Sequence, residues 1–264
     1  MDFRTRRQLA VLAIVVLVLG GIGYLIYTRV SPPPTCQDNK TNQGEEDVDC
    51  GGPCISCAFK KQQPISIFWT RYVKVRENTY DVAAEIQNPN IKLASTSFVY
   101  EFQLYDTAGV LVASRRGTSY LYPGETTHLV EIGLASGRTM RKGDDGVRLV
   151  IRDTKWGLAD RLGPDVIAGN REYAIEEDEN GTRKSVVRAI IQNRTLEDVP
   201  DIEIATIIFD SASNVVGANR TILDSISAGA TTPVRFVWPS IVSESISSVA
   251  VEVRSRFNIP QSSP

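Results

Sequence analysis

Histidine is nearly missing from this 264-residue chain: His128 is the only one. Zinc hydrolysis usually draws on more than one imidazole, and a Ser-His-Asp triad would rest on this residue alone. No other catalytic constellation is spelled out. Glycoside hydrolysis needs only two carboxylates, which any sequence supplies, so their presence supports no such activity. An enzyme is therefore not expected. Excess charge of either sign is also missing, with 29 Lys+Arg against 31 Asp+Glu. No basic stripe interleaves with aromatics, which excludes nucleic acid as an expected partner. Cysteine does not occur after position 57, and long segments of helical period are absent outside one N-terminal run.

That run, Leu9 to Tyr27, holds no charged residue. As a helix it reaches roughly 28 Å, close to the roughly 30 Å hydrocarbon thickness of a bilayer. Arg4, Arg6 and Arg7 precede it, and only Arg29 follows closely before Ser31-Pro32-Pro33-Pro34. The positive-inside rule predicts a cytoplasmic N-terminus. A cleaved signal peptide would carry a shorter core and a small-x-small site, where Tyr27-Thr28-Arg29-Val30 stands instead. The expectation is a single-pass cell-membrane protein: residues 1–7 cytoplasmic, 8–28 a signal anchor in the lipid, 29–35 a Pro-rich linker, and the rest extracytoplasmic. Gly20, Gly21 and Gly23 could admit a second helix or simply be tolerated in lipid.

Cys36, Cys50, Cys54 and Cys57 cluster just beyond the anchor. A segment this small cannot bury a sufficient core and needs crosslinks or a metal. Outside the cytoplasm two disulfides are expected ahead of a four-thiolate zinc site, with all three pairings open. The intervening loop supplies Asp38, Asn42, Glu45, Asp47 and Asp49, hard oxygen donors of the type calcium takes. It is not an EF-hand, since Lys40 stands where a ligand is required and the glycine falls one place late. Residues 36–57 are expected to form either a calcium-binding module or a disulfide knot with a solvated acidic face. The Asp49-Cys50-Gly51-Gly52 core resembles a short module that recurs in secreted and surface proteins.

About 105 positions separate two copies of one pattern, residues 82–134 and 187–239. Val82 to Asn88 answers to Val187 to Asn193. Phe98, Tyr100, Phe102 and Leu104 alternate with Val99, Glu101, Gln103 and Tyr105, as Ile202, Ile204, Thr206 and Ile208 do with Glu203, Ala205, Ile207 and Phe209. A period of two places each set on one strand face, the inward one largely kept between the copies while the outward one changes. The strands end at Tyr105-Asp106 and Phe209-Asp210, followed by Thr107-Ala108-Gly109 and Ser211 to Asn214. Each copy has a second turn, at Pro123-Gly124 and Ala228-Gly229. Such spacing predicts an all-β fold of two tandem antiparallel sandwiches, residues 64–157 and 165–258, joined by a linker over Lys155 to Pro164, with 259–264 as a tail.

Phe102-Gln103-Leu104-Tyr105-Asp106 carries the Phe-x-Leu-Tyr-Asp signature, and Arg76 to Gly124 resembles the FxLYD domains, immunoglobulin-like modules of prokaryotic surface and envelope proteins. The second copy departs from it at Thr206 and Phe209. The resemblance implies an immunoglobulin-like fold and brings no catalytic residues. The order of anchor, cysteine module and paired sandwiches is similar to that of uncharacterised bacterial membrane proteins.

The remaining candidates have plain readings. His128, whose counterpart is Pro233, reads as surface decoration. Trp69, Trp156 and Trp238 read as core or domain-interface residues. Glu176 to Gly181 reads as a solvated hairpin tip. Asn-x-Thr sequons fall at Asn39, Asn180, Asn193 and Asn219. The expected function is non-enzymatic: a membrane-anchored scaffold, adhesin or accessory subunit acting through contacts with an envelope protein or with itself. The alternative is a calcium-dependent receptor for a glycan or other ligand.

Overall fold

The computed structural model describes residues 3–30, 36–159 and 163–256, which fall into two compact units divided between Lys61 and Gln62. In the first unit, helix α1 (Phe3–Val30) is long and apolar enough to cross a membrane, and its side chains from Leu9 to Val30 are exposed. It outruns the apolar stretch at both ends and takes in the flanking arginines, because helical hydrogen bonding does not require the side chains to be apolar. Residues 31–35 of the expected linker lie outside the described residues, as does the tail 259–264. The cysteine segment closes on a single helical turn, α2 (Cys57–Lys60), capped by the Ser56 hydroxyl.

The second unit holds two six-stranded sandwiches. Strands β1 (Ser66–Arg76), β2 (Thr79–Gln87) and β5 (Thr126–Ala135) form one sheet in the order β1-β2-β5, all antiparallel. It faces β4-β3-β6, made of β4 (Leu111–Leu121), β3 (Leu93–Tyr105) and β6 (Val147–Leu158). The copy repeats this with β11-β8-β7 against β10-β9-β12. Its strands are β7 (Val166–Glu177), β8 (Arg183–Asn193), β9 (Val199–Asp210), β10 (Val215–Ile226), β11 (Thr231–Trp238) and β12 (Ile246–Ser255). The alternation fills the cores as expected: Phe98, Tyr100, Phe102 and Leu104 are buried in the first, and Ile202, Ile204, Thr206 and Ile208 in the second. One expected boundary moves. Lys155 to Leu158 continue β6, paired to the start of β3, so the connection begins at Ala159 and not at Lys155.

The repeated polar residues prove to be structural. Asn88 donates from Nδ2 to the carbonyls of Leu93 and Tyr122. Asn193 does the same to Glu197, Ile226 and Ser227, and is fully buried, so its sequon is sealed in the folded chain. Asp106 Oδ1 accepts from the amides of Ala108 and Val110, as Asp210 Oδ1 does from Ala212 and Asn214. Each aspartate satisfies turn amides that would otherwise have no strand partner. Gly124 and Gly229 occupy matching left-handed positions, both at φ 68°.

A third apolar layer joins the sandwiches. Ala83 and Val130 from sheet β1-β2-β5 pack with Ile207 and Ala218 from sheet β10-β9-β12, with Trp69 and Phe209 against them. The four sheets therefore stack, and the outer face of β9, which differs from that of β3, is the docking face. This explains why Ile207 and Ile208, neighbours on opposite faces, are both buried.

Candidate functional site

In the cysteine segment, Cys36 bonds Cys54 and Cys50 bonds Cys57. Four of the five candidate oxygen donors come together beside these bonds. Asp49 Oδ1 accepts from the amides of Asp38 and Asn39 at 2.9 and 3.0 Å. Asp38 Oδ1 takes the Lys40 amide, and its Oδ2 takes Asn42 Nδ2 at 2.8 Å. Glu45 Oε2 accepts the Asn42 amide, and Oε1 lies 3.2 Å from Cys54 Sγ, a contact rather than a hydrogen bond because a disulfide sulfur carries no proton. Cys36, Glu45 and Cys54 are close enough for a metal site, but with both sulfurs in a disulfide only the carboxylate could ligate. Asp47 stands apart. Its Oδ2 pairs with Lys61 at 2.5 Å, and the hydrogen bond from that ammonium holds its carboxyl below the usual range, helped by the Val48 amide. Asn42 Oδ1 is buried with no partner among the described residues.

His128 is not surface decoration. Sheet β10-β9-β12 covers it, leaving its side chain 8 % exposed, with Nδ1 2.7 Å from Glu252 Oε1 of the other sandwich. Glu252 Oε2 accepts from the His128 amide and from Thr127 Oγ1, both at 2.9 Å. Burial would push the Glu252 carboxyl up, but the histidine and threonine donors outweigh it and hold the carboxyl low. Beside this pair Arg254 is buried, with Nε 2.7 Å from Glu125 Oε1, its guanidinium 4.5 Å from the centre of the Tyr120 ring, and Nη2 donating to the Tyr120 carbonyl. Arg220 reaches Glu131 at 3.3 Å, whose other oxygen accepts from Tyr100 Oη. This seam of cross-sandwich partners was invisible in sequence because its members lie about 90 to 135 positions apart. Trp69 packs against His128, and Trp238 lies in the second core, as expected of both. Asp178 caps the turn at Gly181 and pairs with Lys184, consistent with a hairpin tip.

A cleft of about 650 Å³ in the second unit opens at the side of the first sandwich where β1 and β6 face each other unpaired. Ile67 to Arg71 of β1 form one wall and Val147 to Leu149 of β6 the other, with Tyr105, Gly109, Arg141 and Asp145 closing the end. Its frame is pinned: the Arg141 amide donates to the Tyr105 carbonyl at 3.0 Å, and the Arg141 carbonyl accepts from Tyr72 Oη at 2.7 Å. Gly146 is required there, since a Cβ would lie 2.1 Å from the Arg141 carbonyl oxygen. No sequence signal foretold this cleft beyond Tyr105, the one signature residue not consumed by the core or the turn.

No family model matches the chain, and no curated protein does. Among solved structures, a β-glucuronidase from glycoside hydrolase family 2 aligns at 12% identity and a TM-score of 0.24, over 66% of this chain and 24% of that one. The chain thus spans about a quarter of that protein. The N-terminal CBM22-1-CBM22-2 tandem domain of Paenibacillus barcinonensis Xyn10C aligns at 8% identity and a TM-score of 0.13, over 77% and 91% of the two chains. Likenesses this slight carry no argument about activity. What the observed features define is a class: an all-β, disulfide-bonded chain with an N-terminal apolar helix.

Proposed function

We propose that this chain is a non-enzymatic, membrane-tethered scaffold or accessory subunit, with its N-terminus cytoplasmic and its sandwiches displayed outside to an envelope protein. The observation that carries the reading is the fusion of the two sandwiches through a buried apolar layer and a buried ionic seam. Independent modules on a flexible linker would need neither. Rigidity of this kind lowers the ordering cost of presenting a surface to a partner. The sole histidine is committed to the seam, which fits a structural rather than a catalytic use. Under this reading the FxLYD resemblance concerns the sandwich framework, and disulfides suit the oxidising side of a membrane. Mild crosslinking in the native membrane, purification of the intact protein and mass spectrometry test it. A stoichiometric set of envelope proteins supports the reading, whereas recovery of the protein alone removes it. Protease protection in spheroplasts checks the orientation: the sandwiches should be digested from outside.

A second reading, calcium stiffening of the cysteine module in a ligand receptor, is favoured by the unpartnered Asn42 Oδ1 beside Asp38. It requires a rise in thermal midpoint with millimolar calcium over EDTA that Asp49→Ala abolishes. An unchanged midpoint removes it.

A further inference from the structure

The β1/β6 cleft combines features that the tethering role alone does not explain. Among the described residues, Arg71, Arg141 and Arg148 line it with Asp145, which sits 3.6 Å from Arg141 at a solvent-exposed position, while Arg71 already donates to the Thr70 carbonyl. Arg148 has no carboxylate within ion-pair distance among the described residues and rests its guanidinium 5.9 Å from the centre of the Tyr105 ring. One wall is a sheet edge, since β1 pairs only with β2, and a register shift between Ile67 and Trp69 leaves Phe68 56% exposed at the lip with Ile67 41% exposed beside it. A free strand edge, an exposed apolar lip, and guanidiniums carried by a backbone-pinned loop (Arg141) and by the facing edge strand β6 (Arg148) are the elements by which sheets accept an extended peptide.

From this we infer that the cleft binds an extended acidic segment of a partner protein, its carboxylates on Arg141 and Arg148 and an apolar side chain on Ile67 and Phe68. A sugar fits less well. The Tyr105 ring already carries the Arg148 guanidinium, and its hydroxyl donates to Gln103, so no bare aromatic platform is offered. This inference names the partner chemistry within the scaffold reading and rests on it.

The test uses the full chain in detergent micelles and fluorescence anisotropy of the labelled peptide Glu-Val-Glu-Phe-Glu-Val-Glu. The expected result is binding that weakens at least tenfold when lysine replaces glutamate in the probe, and at least tenfold in the Arg141→Glu/Arg148→Glu variant. Raising salt from 50 to 500 mM should weaken it as well, and Arg194→Glu, in the other sandwich, should leave it unchanged. Circular dichroism confirms that the variants are folded, and Arg148→Gln serves if the charge reversal is not. Equal binding of both peptides, or indifference to the cleft variants, overturns the inference. So does tighter binding of an oligogalacturonate competitor, which would make the site one for acidic glycans. Crosslinked envelope partners recovered with an inert cleft would leave the scaffold reading standing and this one refuted.

Discussion

Replacing Arg254 by alanine should loosen the whole two-sandwich body and not merely one strand. The guanidinium is 7 % exposed, pairs with Glu125 at 2.7 Å and contacts the Tyr120 ring and carbonyl of the opposite sandwich. Burial works against its charge, but Glu125 and the Tyr120 side outweigh that and raise its pKa, so the folded state favours the charged form. Removing one partner of a buried pair typically costs about 3–5 kcal/mol, because the other is left desolvated and unpaired. Glu125 keeps some access to water, at 18 % exposed, and an amide donor at Tyr122, which places the expected loss near the low end, about 3 kcal/mol. For a body of this size that corresponds to a fall in Tm of roughly 6–12 °C. Urea titration followed in parallel by tryptophan fluorescence and far-ultraviolet circular dichroism is the assay. The wild type should unfold in one coincident transition, and Arg254→Ala should shift it down or split it in two. Arg254→Lys should recover part of the loss, since an ammonium cannot serve Glu125, Ser119 and Tyr120 together. A loss below about 1 kcal/mol with one unchanged transition would refute the argument that the seam holds the sandwiches together.

Burial pushes the Asp81 carboxyl up to about 6, with the Gly133 amide and Arg76 offsetting it only in part. Below about pH 4 it is neutral in both states; between pH 4 and 6 the unfolded chain ionises first and stability drains away; above 6 the full penalty stands. Asp81→Asn should therefore stabilise the chain by about 1–2 kcal/mol at pH 7, allowing for residual solvent access, and by nothing at pH 3.5, as read from paired urea curves. Ala218→Leu overfills the layer between the sandwiches, where Ala218 is fully buried, and should cost about 1–3 kcal/mol; a neutral result would mean that the layer opens readily. Gly52 sits at φ 55° with the Gly44 carbonyl oxygen 2.3 Å from where a Cβ would be, so Gly52→Ala should scramble the Cys36–Cys54 and Cys50–Cys57 pairing in disulfide mapping. Reduction of the wild type should abolish that knot while the β-sheet circular dichroism persists, because the sandwiches contain no cysteine.

The period-two alternation and the duplicated turns made both sandwiches legible from residues alone. Phe98 to Leu104 and Ile202 to Ile208 lie on the faces that their spacing predicted, since side-chain direction along a strand is a local property. The apolar run and the clustering of the cysteines were legible for the same reason: composition over about 20 residues decides both. The pairing of Cys36 with Cys54, the burial of His128 and the path of β6 through Lys155 were not. Each depends on which segments meet in space. The outer face of β9 shows the division most clearly. Ala205, Ile207 and Phe209 spell an ordinary strand, and only the arrival of Ala83, Val130 and Trp69 about 75 to 140 positions earlier turns that face into an interface. The cleft between β1 and β6 belongs to the same category. Sequence determined the strands that wall it, while the gap itself, and the convergence of Arg71, Arg141 and Arg148 on it, follows from two sheets that pack face to face without closing their edges.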